Sequence, residues 1–259
     1  MSGDEAAAGG IQSLDAALRL LKVLAEAGGA ASLSDLARRC EMPPPKVHRY
    51  LASFLNAGIV EQAGRSGKYD LGPEALRLGL AAIARHDFVN RAADSLTDLA
   101  AQTGMSVLLS VWGNEGATVI RWERAEVPTV TSMGLGTTMP LLHSATGRAF
   151  LAWAPPAAIT GRIEAELQRA RAMPGLLPDI TPDTASVAAL RERIRGAGLA
   201  TADGSFIPGL VALAAPVLDW QGEAQCVVTL IGTLPAALAP QSPQAQALVD
   251  FCRAQSVTP

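Results

Sequence analysis

The sequence predicts an α+β protein in two parts, and three observations carry that reading. A short helical hairpin followed by two small strands fills residues 33–71. Beyond residue 87 the pattern changes to strand pairs joined by tight turns, set among amphipathic helices, which is the signature of an antiparallel sheet with helices outside it. The 259 residues are 49% apolar and only 17% charged, so the chain can fill one large core or two ordinary ones and is not dominated by disorder.

The elements follow in order. Residues 1–10 are Ala/Gly-rich and acidic and read as a tail without the basic and apolar regions of a signal peptide. A helix opens at Ser13 as a plausible cap, with Leu14, Leu18, Leu21 and Ala25 as its apolar stripe, and Gly28-Gly29 ends it. Residues 33–40 form a second short helix with Leu33, Leu36 and Ala37 inward, and Glu41-Met42-Pro43 turns the chain. The next helix begins with prolines, where the first turn has no N–H to lose; Val47, Leu51, Phe54 and Leu55 form its buried stripe, and Lys46, His48, Arg49 and Ser53 fall outside. Residues 59–62 and 68–71 pair as strands about a Gly-bounded tip that holds Arg65 and Ser66. Two helices joined by a tight turn and followed by a hairpin are a winged helix-turn-helix, an arrangement that lays one helix in a DNA major groove.

Gly72-Pro73 interrupts the pattern and residues 74–86 resume as a helix between the two parts, to be read as a linker, a dimer contact or both. In the second part, residues 92–103 read as a helix, 105–112 and 117–123 as strands about Gly113-Asn114-Glu115-Gly116, and 127–133 as a third strand. Helices are expected over 144–153, 156–172, 181–196 and 242–254, with strands 210–218 and 225–231 about Asp219-Trp220-Gln221-Gly222. The implied division is a tail at 1–10, a DNA-binding domain at 11–73, a linker helix at 74–88 and a larger domain at 89–259.

Charge supports the nucleic-acid reading once its distribution is considered. The chain carries a formal charge of −3, yet residues 38–68 hold an excess of four positive charges, and Lys22, Lys46 and Lys68 are its only lysines. Phosphate neutralisation is local, so a basic patch on an acidic chain is a sufficient footprint. Arg65 and Lys68 of the wing are expected on phosphates, which position the protein without reading sequence, and Tyr50 is expected to pack rather than stack on a base. Cys40, Cys226 and Cys252 are odd in number and far apart, which fits a reducing, cytoplasmic compartment, and their settings suggest inert thiols. No apolar run approaches the roughly 20 residues of a membrane span. His48, His86 and His143 lack metal-ligand spacing, Gly134-Leu135-Gly136 lacks the lysine and serine of a phosphate loop, and the four tryptophans read as core or interface residues. No cofactor or metal is expected.

These segments together resemble the IclR-type (isocitrate lyase regulator) family of bacterial transcription factors over residues 12 to about 255. The carriers include Leu36-Ala37, Met42-Pro43, Val47-His48-Arg49-Tyr50-Leu51, Asn56-Ala57-Gly58-Ile59-Val60 and Tyr69-Asp70-Leu71-Gly72. In the second part they are Leu142-His143-Ser144-Ala145-Thr146-Gly147-Arg148-Ala149-Phe150-Leu151-Ala152, Gly198-Leu199-Ala200 and Ala214-Ala215-Pro216-Val217-Leu218-Asp219. The resemblance implies a winged-helix head, a linker helix and a GAF-like effector domain, assembled as homodimers or dimers of dimers. It implies DNA contacts at Pro45, Lys46, His48, Arg49 and Ser53 on the recognition helix and at Arg65, Ser66 and Lys68 in the wing. It implies an effector pocket at Ala145, Thr146, Asp203, Ser205, Ala212, Thr229 and Ile231. The chain departs from the family where Pro45 and Lys46 replace small hydroxyl residues, where Ala16 replaces an arginine, and in its more apolar pocket.

The expectation is thus a sequence-specific regulator, not an enzyme, binding operator DNA under the control of a small carboxylic or aromatic acid. An enzyme with a DNA-binding head and a constitutive DNA-binding oligomer are the two rivals. Against the first, the second part shows no nucleophile–base pair or cofactor loop.

Overall fold

The computed structural model describes residues 11–63, 66–83, 86–125, 133–204 and 206–257, and the chain divides into two compact units, residues 1–86 and 87–259. In the first unit, α1 (Gln12–Ala25), α2 (Leu33–Arg39) and α3 (Pro44–Asn56) enclose a small core, closed by the antiparallel pair β1 (Val60–Ala63) and β2 (Lys68–Leu71). Ala31 bridges Tyr69 with two main-chain bonds of 2.8 and 2.9 Å, adding a short third segment to the wing. Leu20, Leu24, Leu36, Val47, Leu51 and Tyr69 are buried in this core. The helix α4 (Pro73–Ile83) follows and touches β1.

The first helix departs from expectation in its orientation. Ala17, Leu20 and Leu24 face the core, whereas Leu14 is 52% and Leu18 46% exposed and Ala25 is exposed. Two apolar stripes lie side by side on this helix, and spacing alone does not say which one the neighbouring helices will cover. Its cap is Ile11, with no side-chain hydrogen bond, and Ser13 lies inside the first turn. By contrast, α2 has a built cap: Ser32 Oγ accepts the Asp35 N–H at 3.2 Å and donates to the Asp35 carboxylate at 2.7 Å.

The second unit is a six-stranded antiparallel sheet in the order β5-β4-β3-β8-β7-β6. The strands are β3 (Ser106–Gly113), β4 (Gly116–Glu123), β5 (Thr138–Met139), β6 (Ala200–Ala202), β7 (Val211–Leu218) and β8 (Ala224–Gly232). The buried α7 (Ala145–Trp153) covers one face, backed by α8 (Pro156–Ala172) and α9 (Thr184–Ala197). The other face carries α5 (Phe88–Asp94), α6 (Leu96–Thr103) and α10 (Pro243–Gln255). Strand alternation sends Val107 and Leu109 to the α6–α10 side and Leu108 to the α7 side, so one sheet serves two cores.

Three sequence expectations change here. The single helix over 92–103 is two, because α5 starts earlier at an Asp87 cap and the chain breaks at Ser95 before α6. The third strand over 127–133 lies outside the described residues apart from Met133, which is not in a strand. The two short strands β5 and β6 had no sequence counterpart, since two or three residues are too few to show alternation.

Candidate functional site

Two regions concentrate the candidate residues, one in each unit. On α3, Pro45, Lys46, His48, Arg49 and Ser53 are all exposed, while Val47 and Leu51 anchor the opposite side of the helix in the core. Lys46 and Arg49 have no ion-pair partner among the described residues, and Lys46 Nζ stands 5.9 Å from the Tyr50 ring centroid. Tyr50 itself packs against the core. The Ser53 hydroxyl bonds back to the Arg49 carbonyl at 3.3 Å. In the wing, Ser66 and Lys68 are exposed and the Lys68 N–H donates to Ser66 Oγ at 3.3 Å; Arg65 lies outside the described residues.

The start of α3 has an unusual main chain. Pro44 and Pro45 carry no N–H, and the N–H groups of Lys46 and Val47 are both taken by the Pro43 carbonyl, at 2.9 and 3.2 Å. A helix N-terminus usually offers free N–H groups to a phosphate. This one offers none, so its positive charge comes from side chains. Part of the basic excess is also neutralised nearby, since Arg38 pairs with Asp35 at 3.5 Å and Arg39 approaches Glu26 at 4.0 Å. The Ser32 hydrogen bond, with help from Arg38 and Lys68, holds the Asp35 carboxyl below its ordinary pKa. Among the described residues of this face, Lys46 and Arg49 therefore stand without an acidic partner, while Lys68 acts on Asp35.

In the second unit, a narrow apolar cavity, with about 20 Å³ of free space, lies between the N-terminal turn of α7 and the sheet. Strand register explains its wall. Ala202 pairs with Ala212 and Ala212 with Ile231, so three strands place one side chain each in a row. Thr229, two residues before Ile231, meets α7 through a hydroxyl pair with Thr146 at 2.8 Å. Ser144 caps α7, accepting the Gly147 N–H at 2.9 Å and donating to the Pro140 carbonyl at 2.7 Å. The Ala145 and Thr146 N–H groups make no hydrogen bond among the described residues.

Of the sequence-derived pocket residues, Ala145, Thr146, Ala212, Thr229 and Ile231 line this cavity. Asp203 does not: it is exposed just past the end of β6, while Ala202 and Gly204 on either side of it supply the wall. Ser205 lies outside the described residues. The residues missed are chiefly apolar, Met133, Met139, Phe206, Ile207 and Leu210. No polar motif marks them; Met139 lies in the short strand β5, and the other four lie in loops that only the tertiary fold brings to the pocket. Arg148 was also missed as a support. Its guanidinium is buried, pairs with Asp179 at 2.6 Å, and donates to the Leu142 carbonyl at 2.9 Å, tying α7 to the loop before it.

The thiols are poor nucleophiles. Burial pushes Cys226 up to about 12, raises Cys252 well above the ordinary range, and raises Cys40. Among the described residues no group of His, Cys, Asp and Glu is placed to hold a metal ion, and no helix is long and apolar enough to cross a membrane.

Comparison with known proteins finds matches in both units. Residues 13–64 match the IclR helix-turn-helix domain and residues 80–245 the bacterial transcriptional regulator IclR C-terminal domain. The chain is 30% identical over 248 residues to the HTH-type transcriptional regulator BhcR of Paracoccus denitrificans (strain Pd 1222), covering 95% of this chain and 86% of that one. It is 28% identical over 148 residues to the transcriptional repressor IclR of Escherichia coli (strain K12), across 56% of this chain and 54% of that one. The crystal structure of Pseudomonas aeruginosa HmgR superposes with a TM-score of 0.81 at 38% identity, over 95% of this chain and 97% of that one. The chain is a member of the IclR family of DNA-binding transcriptional regulators.

Proposed function

We propose that this regulator senses a small organic acid with an apolar or aromatic body, and that occupancy of the cavity shifts the population of DNA-competent homodimers or dimers of dimers. The observation that carries the reading is the makeup of the cavity. Its wall is mostly apolar, and its polar atoms gather at one end, where two free N–H groups of α7 meet the Thr146–Thr229 hydroxyls. One hydroxyl of such a pair donates to the other, which keeps a proton to give a ligand. Donors at a helix N-terminus favour an anion, and an apolar remainder favours a hydrocarbon or aromatic body over a two-carbon acid. For the ligand to regulate, its affinity must differ between the two states of the protein.

The DNA-side assignment rests on Pro45, Lys46, His48, Arg49 and Ser53 facing outward together from one helix. The related proteins are named as regulators, and the Escherichia coli relative as a repressor, which supports a non-enzymatic, repressing role in the cytoplasm. The test is a gel-shift titration against the gene's own upstream DNA, with a thermal-shift series of aromatic and aliphatic acids beside their amides. Salt-sensitive, sequence-selective binding that an acid alters and its amide does not is the expected result. Equal effects of acid and amide would end the anion reading. A full acid series without effect on melting or on DNA binding would favour a constitutive DNA-binding oligomer.

A further inference from the structure

A polar cleft of about 510 Å³ lies at the C-terminal end of α7, the opposite end of that helix from the apolar cavity. It is lined by Trp153 as α7 finishes, by Arg191, Glu192 and Arg195 of α9, and by Gln221 and Glu223 in the turn between β7 and β8. Arg191 and Arg195 are four residues apart on a helix and so share a face.

The two arginines differ in their bonding. Arg195 is fixed, its Nε donating to the Ala152 carbonyl at 2.7 Å and closing the last turn of α7. The Nε of Arg191 is buried and has no hydrogen-bond partner. Neither arginine is ion-paired among the described residues, although Glu192 and Glu223 line the same cleft. Burial and the neighbouring Arg195 both disfavour the Arg191 cation, and Glu192 offsets them by less than Arg195 adds. A half-buried guanidinium beside another cation, with its Nε–H shut off from water and left without an acceptor, is an incomplete arrangement. An oxyanion completes it, because the guanidinium fork matches two oxygens of a carboxylate or phosphate at once.

We propose that this cleft is a second ligand site, which binds a small free oxyanion, a phosphate or carboxylate group, through Arg191 with Arg195 beside it. Glu192 and Glu223 limit the charge the site accepts, and removing one of them strengthens it.

The test is calorimetric titration of the full-length protein with inorganic phosphate at constant ionic strength, beside a matched titration with chloride. One phosphate per chain is expected, with affinity lowered tenfold or more in Arg191→Met and raised severalfold in Glu223→Gln. That gain cannot come from a folding defect, so Glu223→Gln decides the question if Arg191→Met fails to fold by circular dichroism. Thr229→Val, in the apolar cavity, and the Lys46→Ala/Arg49→Ala pair, on the DNA face, are expected to leave the titration unchanged. Phosphate heats no larger than those of chloride, undiminished binding in a folded Arg191→Met, no gain in Glu223→Gln, or weaker binding in the Lys46→Ala/Arg49→Ala pair would overturn the proposal. None of these results bears on acid binding in the apolar cavity, which the thermal-shift series reads separately.

Discussion

At the scale of the residue, the DNA contact proposed for α3 turns on its lack of free main-chain N–H groups. With Pro44 and Pro45 lacking N–H groups and the next two N–H groups satisfied by Pro43, phosphate contact at this helix start falls to the Lys46 and Arg49 side chains. Lys46→Ala and Arg49→Ala are therefore each expected to reduce operator affinity and to lower the slope of log K against log salt by about 1 for every phosphate no longer neutralised. Fluorescence anisotropy over a salt series checks this; an unchanged slope in both variants would remove these residues from the phosphate backbone. The Thr146–Thr229 pair behaves in the opposite way, since it is buried. Thr229→Val strands the Thr146 hydroxyl and should cost about 1–3 kcal/mol in urea unfolding, whereas changing both threonines to valine should restore most of that stability. The thiols give a third expectation: with Cys226 pushed up to about 12 and Cys252 higher still, both should resist an aromatic disulfide reagent at pH 8 until the chain is unfolded. Much of this was legible in sequence. The exposed side of α3 follows from helical spacing, and five pocket residues follow from family resemblance, but the hydroxyl pair joins residues 83 positions apart and no local pattern announces it.

At the scale of the element, α7 is the piece on which the cavity depends. Gly147 sits so close to the preceding loop that a methyl group there would overlap the Pro140 carbonyl and come 2.5 Å from Leu141 Cα. Both neighbours are backbone atoms, so neither yields by a side-chain rotation. Gly147→Ala should accordingly destabilise the second unit more than ordinary core changes do and abolish ligand binding, while the first unit alone retains its helical signal. Arg148 holds the same junction by charge. Breaking a fully buried ion pair from one side costs about 3–5 kcal/mol; because Asp179 is 40% exposed and regains water, Arg148→Met should cost about 2–3 kcal/mol. Chemical denaturation of each variant, followed by tryptophan fluorescence, measures both. The sequence marks the run from Ser144 to Trp153 as a helix, and that element forms, with Ser144 as its cap. It says nothing of why glycine and arginine stand side by side within it. That reason is tertiary: one residue permits the approach of the loop, and the other fastens it. The strands β5 and β6 were illegible for a related reason, since only their neighbours in the sheet make them strands.

For the whole molecule, the apolar surface left uncovered in the first unit bears on how operator DNA is bound. Leu14 and Leu18 on α1 are 52% and 46% exposed, and Leu76, Leu78 and Leu80 on α4 are 65%, 61% and 55% exposed. Small monomeric domains rarely leave several large aliphatic side chains in water on two helices, and such a surface usually marks an interface. The same apolar richness that made the face of α1 ambiguous in sequence is explained if one stripe serves the core and the other a second copy of the chain. A homodimer carries two recognition helices to two half-sites, and joining them turns the second contact into an intramolecular step that strengthens binding by about 10²–10⁴-fold. Charge placed on α4 should therefore weaken operator binding without touching any DNA-facing residue. In Leu76→Glu/Leu80→Glu, sedimentation is expected to show a larger monomer fraction. Affinity for a full operator should fall by about 100-fold, while the weak affinity for a single half-site stays as it was. Loss of full-site and half-site binding together would instead mean that α4 supports the fold of the head itself. A dimer that survives both glutamates would place the self-association surface in the second unit and leave the exposed leucines without that role.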